Sequence, residues 1–194
     1  MQTLIDKFKI PIGKASVQAF AKTIADDAFS VEELITCSFH QDHQIGFRAA
    51  WALEQVYINH QPAFLPYAKA FLNCIHMQTN HSANRSFMKI LAFMTNKKAS
   101  AEIKTIINHH DTTQILEVVF TWLIDNKVPV AVKSHCLSIL ANLVEKHDWI
   151  REELVQTMDF LIEKESIAFF AKVKQIRKQL AISDKRLQLS KRQI

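Results

Sequence analysis

The sequence predicts an all-α protein, and two observations carry that expectation. The first is punctuation. The 194 residues contain only 2 Gly and 4 Pro, where average usage would give ~14 and ~10. Hairpins, bulges and phosphate-cradling loops need glycine, so a β-rich fold, a Gly-x-Gly-x-x-Gly dinucleotide turn and a P-loop are excluded. The second is period: apolar residues recur at i, i+3, i+4 and i+7 over most of the chain. Apolar residues at 48% and charged residues at 22% are ordinary globular composition, which leaves little room for disorder.

Taken in order, the helical segments are 14–26, 31–39, 44–59, 62–77, 82–95 and 99–108. Segment 112–125 follows, with Asp111 as its expected cap; it is apolar on most sides and should be buried. In 129–147, Val132, Cys136, Ile139, Leu140, Leu143 and Val144 form one stripe, and Pro129 suits a first turn. Asp148 is the expected cap of the next helix, where Leu154, Val155, Met158, Leu161 and Ile162 repeat the spacing. Near the end, Phe169, Val173, Ile176 and Leu180 oppose Lys174, Arg177 and Lys178 on the last helix. Connections such as Asn96-Lys97-Lys98 and Asp125-Asn126-Lys127 are short and polar, which makes the helices antiparallel neighbours. The expectation is a single domain over 1–183, of roughly nine to ten helices, followed by a basic tail, 184–194, that frays.

An internal period supports a stacked array. Four segments start with a cation near the beginning of a helix that turns apolar one turn later: Gly46-Phe47-Arg48, Ala83-Asn84-Arg85, Val132-Lys133 and Val173-Lys174. The cations stand at 48, 85, 133 and 174. This pattern resembles the HEAT family of helical-hairpin repeats, with a period of ~40–47 residues. Val132-Lys133 and Val173-Lys174 match the family's Val-Arg/Lys pair, and Asp42 stands like its turn aspartate. The resemblance spans residues 40–182 and implies a right-handed α-α superhelix of stacked hairpins with an extended concave surface. Segments 43–54 and 130–140 are also similar to short helical bacterial proteins, some labelled adenylosuccinate lyase. No lyase activity is carried over: the two glycines stand in Gly13-Lys14 and Gly46-Phe47, and neither opens the Gly-Ser-Ser loop of that superfamily.

Charge is asymmetric. Residues 164–194 hold nine Lys/Arg against two carboxylates, whereas the preceding 163 residues hold fifteen against seventeen. The basic end admits a nucleic-acid or other anionic partner, or a solvated terminal helix. The cysteines Cys37, Cys74 and Cys136 are distant and odd in number, and Asp6, Lys7 and Lys9 interrupt the first ten residues. A reducing cytoplasm without disulfides is therefore expected, and no apolar run is long enough to cross a membrane.

Chemistry is sparse. Cys37, His40 and His43 are spaced three apart, but a structural zinc site needs a fourth ligand and a His-Glu-x-x-His helix is absent. His109-His110-Asp111 reads as a turn and a cap. The pairs Asp26-Asp27, Glu32-Glu33 and Glu152-Glu153 sit at helix starts, where the dipole favours negative charge, and adjacent helical residues do not face each other. No nucleophile elbow or catalytic cysteine signature is present. Trp51, Trp122 and Trp149 either pack between helices or line a groove.

These readings lead to a non-catalytic protein-interaction scaffold, cofactor-free and metal-free. The candidate binding residues are Arg48, Arg85, Lys133, Lys174, Arg177, Lys178, Lys185 and Arg186. Arg48, Arg85 and Lys133 would lie in a row if the array is regular; the opposing reading gives them to helix-end carbonyls or to a neighbouring carboxylate. The alternative function is nucleic-acid binding through the basic C-terminal helix and tail. A third is base-excision chemistry like that of helical-repeat DNA glycosylases, with Trp122, Asp125 and either Arg85 or Arg48 as the nearest match.

Overall fold

The computed structural model describes the backbone of residues 2–25 and 30–191 and the side chains of residues 3–23 and 30–183. Its elements are α1 (Gln2–Lys9), α2 (Lys14–Ala25), α3 (Val31–Cys37), α4 (His43–Asn59), α5 (Gln61–Phe64), α6 (Ala68–Cys74), α7 (His81–Met94), α8 (Ala101–His109), α9 (Thr113–Ile124), α10 (Val130–Leu143), α11 (Ile150–Ile162) and α12 (Ile167–Lys191). No strand occurs among the described residues.

Short polar side chains set several of the helix starts. At α3, Ser30 Oγ accepts from Glu32 N at 3.0 Å and Glu33 Oε2 accepts from Ser30 N at 3.3 Å, a reciprocal capping box. Asp42 caps α4 through Gln44 N at 2.8 Å, and Asn80 caps α7 through Ser82 N at 3.0 Å. Asp111 accepts from Thr113 N at 2.9 Å, as the sequence suggests, with Thr112 in the cap position itself. Asp148 does not cap α11. Trp149 takes that position in αR conformation, after a turn in which Ile150 N donates to His147 O at 3.1 Å. Its ring stacks on Phe120 of α9 at 5.8 Å, which holds the helix start by packing.

The continuous helix expected over 62–77 is broken. Pro66 lacks an N–H in its middle, and 3-10 turns at Leu65–Tyr67 and Ile75–Met77 flank α6. The N-terminal helix α1 was not among the predicted segments. It is short, and Leu4 and Phe8, one turn apart, anchor it in the core.

The chain folds into two layers. In the central layer α2 packs on α4, α4 on α7, α7 on α10 and α10 on α12. The flanking layer covers one side of it: α1 and α3 lie against α4, and α9 and α11 against α10. A chain of aromatic contacts ties the first repeats together. Phe87 of α7 meets Phe39 edge-on at 5.6 Å and Phe71 at 5.0 Å, and Phe71 meets Phe64 at 5.4 Å. All but Phe39 of this set are fully buried. The last helix continues past Ser183 to Lys191, so the segment expected to fray is helical backbone over most of its length.

Neighbouring repeats are also joined by polar bridges. Gln78 Nε2 donates to Ser38 O at 3.1 Å and Asn80 Nδ2 donates to His43 O at 2.9 Å. Gly46 allows this approach: a Cβ there would meet Ser38 O at 3.0 Å and Asn80 Nδ2 at 3.3 Å.

Phe87→Ala should remove about 3–5 kcal/mol of stability, because the cavity opens where two aromatic neighbours cannot close over it. Urea denaturation monitored by far-UV circular dichroism measures this; a loss below about 1 kcal/mol would show that the aromatic chain does not hold the repeats together.

Candidate functional site

The side of the central layer away from the flanking helices is open, and two clefts lie along it. The first, about 370 Å³, is lined by Lys14 of α2, by Phe47, Trp51 and Glu54 of α4, and by Arg85 and Lys89 of α7. Phe47 and Trp51, one helical turn apart, stack at 6.0 Å with ring planes 16° apart, and both are half-buried. Glu54 is buried at the base. It accepts Ser86 Oγ at 2.8 Å and Lys89 Nζ at 2.6 Å. Its charge is thereby committed to Lys89, whereas Lys14 and Arg85 are exposed and have no carboxylate partner among the described residues.

The second cleft, about 320 Å³, lies between the ends of α7, α10 and α12 and includes Lys98, Asn142, Lys178 and Gln179. A polar ladder crosses it: Gln179 Nε2 donates to Asn142 Oδ1 at 2.9 Å, and Asn142 Nδ2 donates to Thr95 Oγ1 at 3.3 Å. Lys97 is paired with Glu145 at 2.5 Å. His135 stands near the start of α10, which packs between α7 and α12. Burial, together with the charges of Lys89, Lys172 and Arg85, pushes its imidazole down to about 4, so it is neutral near pH 7. Lys172, half-buried on α12, is itself held below the usual lysine range by burial.

The structure sorts the predicted cations into different roles. Arg48 does not reach this face. It donates to Phe8 O at 2.7 Å and Lys9 O at 3.2 Å, closing the carbonyl end of α1. Lys133 is buried, and its ammonium is paired with Glu165 at the turn into α12. The expected row of Arg48, Arg85 and Lys133 is therefore not a surface; only Arg85 opens into a cleft. Lys146, absent from the expected set, repeats Arg48's role at α8, donating to Ile107 O at 2.7 Å and His110 O at 2.6 Å. On α12, Arg177 pairs with Asp159 of α11, Lys174 is exposed, and Lys178 enters the second cleft. The side chains of Lys185 and Arg186 lie outside the described residues, as does the pair Asp26-Asp27.

Other candidates separate in the same way. Trp122 lines a small cleft with Gln78 and Asn84, while Asp125 Oδ1 accepts from Lys127 N at 2.8 Å in its own turn. Neither lines a cleft with Arg85. The aromatic, acid and arginine that share one cleft are Trp51, Glu54 and Arg85, and the Trp-x-x-acid spacing of Trp51 and Glu54 was readable in the sequence. Cys37 is buried in the core, whereas His40 Nδ1 accepts from Asp42 N at 3.0 Å, so these two do not converge with His43. No group of three or more potential metal ligands occurs among the described residues. Burial pushes the thiols of Cys37 and Cys74 up to about 11 and that of Cys136 up to about 12, which keeps them protonated and unreactive. No described helix is long and apolar enough to cross a membrane.

With the two layers and their open face established, the family comparison is decisive. A model of the HEAT repeat domain matches residues 4–180. The chain belongs to the HEAT repeat family. No curated protein and no solved structure matches it. The HEAT match begins well before the repeats visible by eye, taking in α1 to α3, whose short helices carry none of the Val-Lys signature.

Two outcomes follow from the buried charges. Glu165→Gln leaves the buried ammonium of Lys133 without a counter-charge and should cost about 2–4 kcal/mol. Adding Lys133→Met should restore most of it; equal stability of wild type and Glu165→Gln in urea melts would exclude a structural role for the pair. His135 has a folded-state value below that of the unfolded chain. The unfolded state therefore binds more protons between pH ~6.5 and about 4, and stability falls as pH drops through that window. His135→Gln should flatten that fall, by up to about 3 kcal/mol at the acid end. Urea midpoints of both proteins at pH 7 and 4.5 measure the difference.

Proposed function

We propose that this HEAT array is a non-catalytic binding scaffold whose open face receives an acidic segment of a partner protein. One observation carries the reading. Lys14 and Arg85 line the first cleft, Lys178 lines the second and Lys172 is half-buried on the same helix as Lys178, all without carboxylate partners among the described residues, while Glu54 and Glu145 are held by Lys89 and Lys97. Cations of like sign on one low-dielectric face repel one another, and a docking anion relieves that repulsion. Family membership supports the choice of a protein, because stacked-repeat arrays offer long surfaces of this kind to their partners.

The dimensions suit an extended segment. Packed helix axes stand 8–10 Å apart, so the five central helices span roughly 32–40 Å, the reach of about ten to twelve extended residues.

Fluorescence anisotropy with a labelled acidic peptide of about twelve residues, at about 50 and 200 mM salt, tests the proposal. Binding should weaken with salt, and Arg85→Glu with Lys172→Glu should weaken it about tenfold or more. An acidic peptide that binds the reversed-charge variant equally well overturns the reading. So does an array that ignores the peptide while binding duplex DNA with a steep salt dependence; that result would transfer the function to nucleic-acid binding through Lys174, Lys178, Lys185 and Arg186.

A further inference from the structure

The first cleft differs from the rest of the face in having an aromatic wall. Phe47 and Trp51 of α4 stack on each other, and both half-buried rings line the cleft. Lys14 and Arg85 line the same cleft from α2 and α7, the helices that flank α4 on either side, and both are exposed and without carboxylate partners among the described residues. Glu54, at the base, accepts from both Ser86 and Lys89. We infer that this cleft is a nucleotide-binding site, with a planar base stacked on Trp51 and its phosphate held by Lys14 and Arg85.

Each half of such a ligand answers a feature that the other half leaves unmatched. A simple anion would satisfy the cations but leave the ring surface wet. A neutral aromatic would cover the rings but leave the two cations unmatched. A base joined to a phosphate through a sugar supplies a flat π-face and a negative charge on one small molecule. The volume of about 370 Å³ falls within the ~300–1,000 Å³ range of small-ligand sites. Arg85 brings a planar guanidinium suited to two-point contact with phosphate oxygens, and Lys14 adds a point charge. Because Glu54 is committed to Lys89 and Ser86, the site binds and does not supply a free acid or base.

The inference stands on the cleft alone and not on the partner of the wider face. The same chemistry comes from two sources, a free nucleotide or one unit of a single strand, and the test separates them. Adenosine monophosphate and a short single-stranded oligoadenylate are titrated by calorimetry into the full chain, beside adenosine and inorganic phosphate. The expected result is that a phosphate-bearing base binds at least about tenfold more tightly than either half. Trp51→Leu should weaken it roughly five- to 150-fold, the range for loss of one base stack. Arg85→Gln, at an exposed position with no ion pair among the described residues, should weaken it comparably while leaving the thermal midpoint unchanged. Preference for the monophosphate identifies the free nucleotide as ligand. Preference for the oligomer identifies a strand, supporting the cleft while removing the acidic-protein reading of the face. Equal affinity for phosphate alone, no binding by either nucleotide form, or full affinity in a folded Trp51→Leu or Arg85→Gln protein overturns the inference.

Discussion

The structure depends on the stacking of amphipathic helices that cannot bury their apolar faces in isolated pairs. A short helix in water gains too little from its own hydrogen bonds to persist, so its stability comes from packing. Here the contacts run α2 to α4 to α7 to α10 to α12, and each helix is both covered by the one before and cover for the one after. Because each contact needs only its neighbours, the loops between repeats can differ in length without disturbing the core. The broken segment around Pro66 shows that tolerance: its backbone departs from a regular helix, yet Phe64, Phe71 and Ile75 still reach full burial.

Stacking also dictates what happens to charge. Long cations at the ends of helices meet carbonyls that have no intrahelical partner, and Arg48 and Lys146 close such ends on α1 and α8. A cation trapped between layers must have a counter-ion, which is the position of Lys133 with Glu165. Cations left on the open face have neither constraint. Lys14, Arg85 and Lys178 have no carboxylate partner among the described residues, while Glu54 and Glu145 are withdrawn into pairs.

Legibility in the sequence follows the same division. Local chemistry was readable: the bond of Asp111 to the start of α9, short polar links and helical periods reappear, and the HEAT resemblance drawn from Val132-Lys133 and Val173-Lys174 agrees with the family match over residues 4–180. Failures came where a residue has two physical outlets. Asp148 fits a cap by type, but Trp149 finds an aromatic partner in Phe120 and the helix begins differently. Arg48, Arg85 and Lys133 look equivalent along the chain, yet one meets carbonyls, one solvent and one a buried carboxylate. Trp122 with Asp125 and Trp51 with Glu54 share a spacing, and nothing local says that only the second pair shares a cleft with an arginine.

The sequence by itself determined the helical class, the stacked-repeat architecture and the absence of the glycine-built sites of nucleotide-fold enzymes. These rest on interactions within a few residues: turn conformations that need glycine, periods of 3.6 residues, and caps. Tertiary structure alone decided which of the cations meet carbonyls or a buried carboxylate and that Trp51 and Arg85 line one cleft. That outcome depends on residues about 30 to 40 positions apart in a repeat of this period, brought side by side by stacking, and a linear net charge carries no record of it.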